Sequence, residues 1–226
     1  MAPPFRIALV EIAGAGSRSF LPTGLCYLSA YLKKNAAPGV TVDILSVNAN
    51  DSAVVSATKP GLIGFTAFTH SFPAIVSLAD RLKKELPGVP LVLGGQHLSM
   101  APGSMPALFD FGVLGEGEQT FLELVEAVRN GAALSVLKAL KGVQYFEGGK
   151  LVSSAKRELI SPIDNIPFPD RETIADIEVS ITSDQFFLFD RAPTRSLQLT
   201  TSRGCPYKCV FCQPSLMWSP FRMHSA

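Results

Sequence analysis

Along the first 130 positions, short unbroken apolar runs alternate with segments whose apolar residues recur at helical intervals. Residues 5–11, 40–47, 61–67, 90–93 and 111–114 read as strands. Residues 24–34 carry Leu25, Leu28, Tyr31 and Leu32 at helical spacing. Residues 72–86 set Ile75, Leu78, Ala79, Leu82 and Leu86 on one face, with Asp80, Arg81, Lys83, Lys84 and Glu85 mostly elsewhere, and Pro87-Gly88 stops that helix. A further helix over 118–129 ends at Asn130-Gly131. Strands that are apolar throughout are buried on both faces, the habit of a parallel sheet. The pattern therefore predicts an α/β domain over residues 1–135, a Rossmann-like (flavodoxin-like) parallel sheet with helices on both faces.

In such sheets ligands bind beyond the carboxyl ends of the strands. Those ends are residues 14–19, 48–52, 66–70, 94–99 and 115–118, rich in glycine and small polar residues. The first of them matches neither a Walker A loop nor G-x-G-x-x-G, which argues against a phosphate loop there. After Gly131 the pattern changes. Residues 143–146 and 150–153 flank Glu147-Gly148-Gly149 and predict a β-hairpin. Residues 161–170 hold three prolines and read as an extended linker. Residues 136–195 are thus assigned to hairpin and linker, with 171–194 giving no clear pattern. A new strand over 196–201 opens a last segment, 196–226, and leads into a group of cysteines.

Composition narrows the class. Hydrophobic residues make up 47% of the chain, enough for a buried core. Net charge is +1, from 20 basic and 19 acidic residues, which leaves no footprint for nucleic acid or an anionic membrane. No stretch approaches about 18 consecutive apolar residues, so no membrane span is expected. The start runs directly into a strand without the parts of a signal peptide, and a soluble cytoplasmic protein is expected. Of four cysteines, three fall within eight residues. That crowding argues against a disulfide framework and for metal binding in a reducing compartment. Cys26, on an early helix, reads as a small buried hydrophobe.

Cys205, Cys209 and Cys212 are spaced C-x3-C-x2-C. Three thiolates on a four-iron cubane leave one iron with an open coordination position. Two other readings use the same residues. Cys209 and Cys212 could be a redox pair, or half a zinc site whose nearest further candidate ligand is His224. The motif Cys205-Pro-Tyr-Lys-Cys209-Val-Phe-Cys212, after the turn Ser202-Arg-Gly204, resembles the signature of the radical S-adenosylmethionine enzymes. The resemblance implies a [4Fe–4S] cluster on the three cysteines. S-adenosylmethionine then chelates the open iron, an electron donor of flavodoxin or ferredoxin type reduces the cluster, and an adenosyl radical is released. It places Phe211 near the adenine of the cofactor, and makes residues 196–226 the first strand and cluster loop of a partial (β/α) barrel.

A second resemblance covers the rest. Pro22-Thr-Gly-Leu25 with Tyr27-Leu28, Gly64-Phe-Thr-Ala-Phe-Thr69, Gly94-Gly-Gln-His97, Gly115-Glu-Gly-Glu118, the linker Ile166-Pro-Phe-Pro-Asp170 and the tail from Trp218 to Ser225 are similar to the cobalamin-binding branch of that superfamily. It implies that Gly94 and Gly95 pass under the corrin or its nucleotide, that Thr66, Thr69 and Ser99 hydrogen-bond tail or ring amides, and that His97, Gly115, Glu116, Gly117 and Glu118 belong to the same rim. Glu116 and Glu118 have a plainer reading as acids at a turn and a helix start. The Asp-x-His-x-x-Gly motif that supplies a lower cobalt ligand in many cobalamin proteins does not occur, so His70 and His97 are expected as rim hydrogen-bonding groups.

The mechanism implied by the resemblance is hydrogen abstraction followed by methyl transfer to an unactivated carbon. Ring-forming members of the family exist as well, and nothing in the sequence selects a small-molecule substrate. Only 14 residues follow Cys212, fewer than the roughly 30 of a βαβ unit, which predicts a truncated chain inactive alone. Two further readings stay open: a corrinoid-carrying module without catalysis, and a radical enzyme whose α/β domain holds no cobalamin.

Overall fold

The computed structural model describes residues 4–13, 22–174, 198–207, 209–213 and 217–225. The order of elements is β1 (Phe5–Ile12), α1 (Thr23–Asn35), β2 (Val40–Val47), α2 (Ser52–Ala57), β3 (Leu62–Thr66), α3 (Phe72–Glu85), β4 (Leu91–Gly94), α4 (Gln96–Met100), β5 (Phe111–Val113), α5 (Glu118–Arg129), α6 (Leu134–Ala139), β6 (Val143–Glu147), β7 (Lys150–Ser153), β8 (Ser202–Arg203) and β9 (Arg222–Met223). Strands β1 to β5 are mutually parallel, in the order β2-β1-β3-β4-β5. This is the flavodoxin-like order of a doubly wound sheet, whose switch point lies between β1 and β3.

Alternation along β1 shows why both faces are covered. Ile7 and Leu9 point into one apolar layer, with Leu25 and Leu32 of α1 and Phe121, Leu124 and Val125 of α5. Ala8 and Val10 point into the other, with Ile75, Leu78 and Leu82 of α3 and Leu98 of α4. All four β1 residues are wholly buried, as the unbroken apolar run requires. Gly64 of β3 gives up its side chain for close packing: a Cβ there would lie 3.0 Å from the Phe121 ring.

The predicted hairpin forms as β6–β7, but it is not a separate unit. β6 pairs antiparallel with β5, so the hairpin extends one sheet to seven strands. The linker is equally well anchored. Ile163 and Ile166 pack on Tyr27 of α1, and Ile174 forms an isolated bridge with Ile44 at the β2 edge. Three helices escape the sequence pattern: α2, α4 and α6 have six, five and six residues. Segments that short do not complete two turns of apolar repeat.

The strand expected over 196–201 differs from what the described part shows. Residues 198–201 are not in a strand; pairing starts at Ser202, where β8 meets β9 antiparallel. Part of the backbone before it is bonded by side chains instead. Tyr27 donates its hydroxyl to the Thr200 carbonyl at 3.3 Å, and Arg171 Nη2 donates to the Gln198 carbonyl at 2.6 Å. Residues 14–19, expected as the β1 end of the rim, lie outside the described residues. Among the described residues no helix is long and apolar enough to cross a membrane.

Candidate functional site

Parallel pairing carries the ends of β1, β3, β4 and β5 to one edge, and the glycine turn after β4 is built into it. Gly95 has φ +95°, and a Cβ there would lie 2.5 Å from the Ala67 nitrogen and 2.8 Å from Thr66 Oγ1. Only glycine fits. The turn is stitched to β3 by Ala67 N–H donating to Gly94 O at 3.0 Å and His97 N–H donating to Ala67 O at 2.9 Å. Ser99 Oγ donates to Gly95 O at 2.9 Å and accepts from Gly115 N–H at 3.0 Å. Thr66, Gly94, Gly95, Ser99 and Gly115 therefore form one rim, and the Ser99 hydroxyl works within it.

His97 closes that rim. Its ring stacks on Phe72 at 4.0 Å between centroids, and its Nδ1 lies 3.1 Å from Thr69 Oγ1. Its Nε2 is buried with no partner among the described residues. An orphaned buried nitrogen costs about 1–3 kcal/mol unless something fills its bonding position. That orphan, beside the tight turn at Gly95, fits a polar ligand lying over the strand ends. His70 is exposed and stacks on Phe68 at 5.7 Å, away from His97.

Glu116 and Glu118 do not face an open rim, contrary to the expectation that they sit among its ligand contacts. Both are buried and paired with arginines from the C-terminal hairpin. Glu116 Oε1 accepts from Arg222 Nη2 at 2.5 Å and from Arg203 Nη1 at 3.1 Å. Its Oε2 accepts from Arg222 Nη1 and from Ile160 N–H, each at 3.1 Å. Glu118 accepts from Arg203 Nη2 at 2.5 Å, and the same guanidinium lies 5.5 Å from the centre of the Tyr27 ring. Burial works to raise the Glu116 pKa, but Arg222 and Arg203 outweigh it and hold the carboxyl below its ordinary value. Arg203 and Arg222 carry no sequence signal of their own; Arg203 was legible only as the middle of a turn. Gly117 continues this loop, and its carbonyl accepts from Phe121 N–H at 2.7 Å in the first turn of α5.

Another residue that sequence reasoning did not single out is Glu11, at the carboxyl end of β1. Burial pushes its pKa up to about 7, only partly offset by the Ser46 hydroxyl donating at 3.1 Å.

Beyond Arg203 the chain turns at Gly204, φ +82°, where the backbone of Trp218 leaves no room for a side chain. Cys205, Cys209 and Cys212 follow on one loop. Cys209 is exposed, the other two are half-buried, and Cys212 N–H donates to Cys209 O at 3.0 Å. Among the described residues no three His, Cys, Asp or Glu side chains are gathered closely enough to hold a metal. The donor set still fits a cluster chemically: three soft thiols within eight residues, on a loop with Phe211 89% exposed beside them. His224, the candidate fourth zinc ligand, has its Nδ1 3.2 Å from Asp164 Oδ1 and its backbone bonded to Thr201.

Residues 17–125 match the model of the B12 binding domain. An uncharacterised methyltransferase of Pyrococcus horikoshii is 30% identical over 99% of the chain, which spans 46% of that protein. The anaerobic magnesium-protoporphyrin IX monomethyl ester cyclase of Rubrivivax gelatinosus is 30% identical over 98% of the chain, which spans 39% of it. The structure of TsrM from Kitasatospora setae, a radical S-adenosylmethionine methyltransferase with cobalamin and a [4Fe–4S] cluster bound, superposes with a TM-score of 0.67 at 17% identity. It shares the fold over 98% of this chain and 44% of its own. The chain thus spans less than half the length of these proteins.

Proposed function

This chain belongs to the B12-binding radical S-adenosylmethionine proteins, and on that premise we propose that it holds a corrinoid over its strand-end rim and a [4Fe–4S] cluster on Cys205, Cys209 and Cys212, within a protein that methylates an unactivated carbon. The observation that carries the reading is the fixing of a three-thiol loop to the glycine rim of a B12-binding domain through Glu116. When bound, the two groups supply one-electron reduction of S-adenosylmethionine and a transferable methyl group.

The chain's own residues orient and exclude. Gly95 keeps the turn packed against β3, since a side chain there would strike Ala67, and the ligand would lie over the strand ends that this turn joins. Thr66 and Thr69 offer hydroxyls, and the buried His97 Nε2 offers one position for a ligand amide. Its stacking on Phe72 and its bond to Thr69 fix that ring for hydrogen bonding. The three thiols supply three of four iron positions, and Phe211 offers an aromatic face beside the third. A flavodoxin- or ferredoxin-type donor would deliver the electron to this exposed loop.

Incubation with hydroxocobalamin, and separately with iron and sulfide under anaerobic conditions, tests both halves. The reading expects about one corrinoid retained per chain on dialysis, and about four irons with a broad visible charge-transfer band. Cys205→Ala should abolish the band and leave corrinoid retention unchanged. A chain that retains no corrinoid, or an iron band that survives loss of the cysteines, would refute it. The 30% identity to a cyclase favours a second outcome, ring formation on a carbon radical, at the same two sites. Product analysis in the longer protein separates a methylated from a cyclised product.

A further inference from the structure

The hairpin β8–β9 has two residues in each strand, too few to hold itself in place. Its position is set from outside, chiefly by the carboxylate pair Glu116 and Glu118 gripping Arg203 and Arg222, with further bonds from Arg222 to the Ile160 carbonyl and from Ser225 to Asp164. Two cations and two anions leave the cluster neutral. Ion pairs this buried repay their desolvation only in part, so they contribute placement more than stability. What they place is specific: Cys205 follows two residues after Arg203, across the tightly packed turn at Gly204.

On its other side, Glu116 is joined to the rim. Gly115 N–H donates to Ser99 Oγ, and Ser99 Oγ donates to Gly95 O. An unbroken path therefore runs from the left-handed glycine at the rim, through Ser99, Gly115 and Glu116, to the arginine before the first cysteine.

We propose that Glu116 is a positioning residue that couples the two ends of the molecule's chemistry, setting the cysteine loop according to the state of the strand-end rim. Displacement at the Gly94–Gly95 turn shifts Gly115 and Glu116, and with them the hairpin. Binding at either end then affects the other equally, as linkage demands. The placement of the hairpin stands on contacts alone; the coupling rests on the reading of the rim as a corrinoid site.

Hydrogen exchange on the 226-residue chain tests both parts. In Glu116→Gln, which keeps the shape and removes the charge, amides of 202–204 and 222–224 should exchange at least about tenfold faster, while β1 and β3 stay as in wild type. Arg222→Lys, which keeps charge and loses the fork, should move the same amides by a smaller factor, and Glu116→Asp should recover part of the protection. Hydroxocobalamin should slow exchange of those amides in wild type and not in Glu116→Gln; a purely structural role would not move that response. If Glu116→Gln loosens the sheet as well, Arg222→Lys decides. Unchanged hairpin exchange in both variants overturns the proposal. So does a wild-type hairpin that ignores hydroxocobalamin shown by dialysis to be bound. Absence of binding in dialysis instead sinks the corrinoid reading, and the variant arm still decides the positioning role.

Discussion

The hydroxyl of Ser29, wholly buried on α1, donates to Asp170 Oδ2 at 2.6 Å. The same carboxylate meets Lys33 Nζ at 2.7 Å and the Thr173 hydroxyl, while Asp170 N–H donates to the Cys26 carbonyl at 3.0 Å. The acid at the end of the proline linker is thus the peg that fastens the linker across α1. Asp170→Ala removes the acceptor from three donors at once, one of them fully buried. It should cost about 2–3 kcal/mol, with Asp170→Asn losing less. Urea midpoints of the two variants check this.

The grip of Glu116 on the hairpin has a pH signature. Its carboxyl holds its proton less tightly folded than unfolded, because Arg222 and Arg203 outweigh the effect of burial. A depressed folded pKa gives stability that is fully present above the unfolded value, about 4.3 for glutamate, and is lost as pH falls through the lower folded value. Trp218, the chain's single tryptophan, lies in the segment that Glu116 holds. Its emission should stay constant from pH 7 to below 4.3 and shift to the red only under more acid conditions. Glu116→Gln should lose that acid step. A wild-type transition centred at or above pH 4.3 would count against the pairing.

Much of this was readable before the structure. The unbroken apolar runs at Ile7–Val10 and Leu62–Phe65 can only be buried on both faces, so the parallel sheet followed from them, and β2 and α5 keep the bounds their apolar patterns implied. The turn at Gly94 and Gly95 was legible because glycines at a strand end mark a tight turn or a close backbone approach. What periodicity could not reach was long-range charge. Glu116 and Glu118 resemble any acids near a helix start, and their partners Arg203 and Arg222 lie more than eighty residues away. The short helices α2, α4 and α6 were missed because five or six residues carry too little repeat. The hairpin looked detached because alternation does not say which edge a strand will join.

Gly95 permits one clear backbone test. With φ +95° and Ala67 N only 2.5 Å from where a Cβ would sit, Gly95→Ala must either strain the turn or push β3 and β4 apart. The expected cost is at least about 2 kcal/mol in thermal or urea unfolding. Corrinoid retention should fall with it, because the turn that would pass under the ligand is displaced. Gly103, whose Cβ would meet nothing, serves as a control: Gly103→Ala should leave both unchanged.

Glu11 makes the opposite pH prediction to Glu116. Burial raises its pKa from 4.5 to about 7, so the folded state favours the protonated form. Stability from that form is fully present below pH 4.5 and is lost as pH climbs through about 7. The wild type should therefore weaken between pH 5 and pH 8, by on the order of 2 kcal/mol. Glu11→Gln, neutral at every pH, should lack this slope and be the more stable protein at pH 8. Equal wild-type and variant urea midpoints at pH 8 would show that Glu11 ionises freely.

The four thiols should separate cleanly by reactivity. Burial, reinforced by the nearby Asp170 and Glu11 charges, pushes the Cys26 pKa up to about 12, while Cys209 is exposed and Cys205 and Cys212 are half-buried. Because the thiolate is the reacting form, a pKa raised from 9.0 to about 12 slows alkylation about a thousandfold at pH 8, before access is counted. Iodoacetamide on the native, iron-free chain should therefore label Cys205, Cys209 and Cys212, with Cys209 foremost, and spare Cys26 until the chain unfolds. After incubation with iron and sulfide the three should become protected together. Peptide mass spectrometry reads both states. Protection of only two of the three would point away from a three-thiolate cluster and towards a Cys209–Cys212 pair.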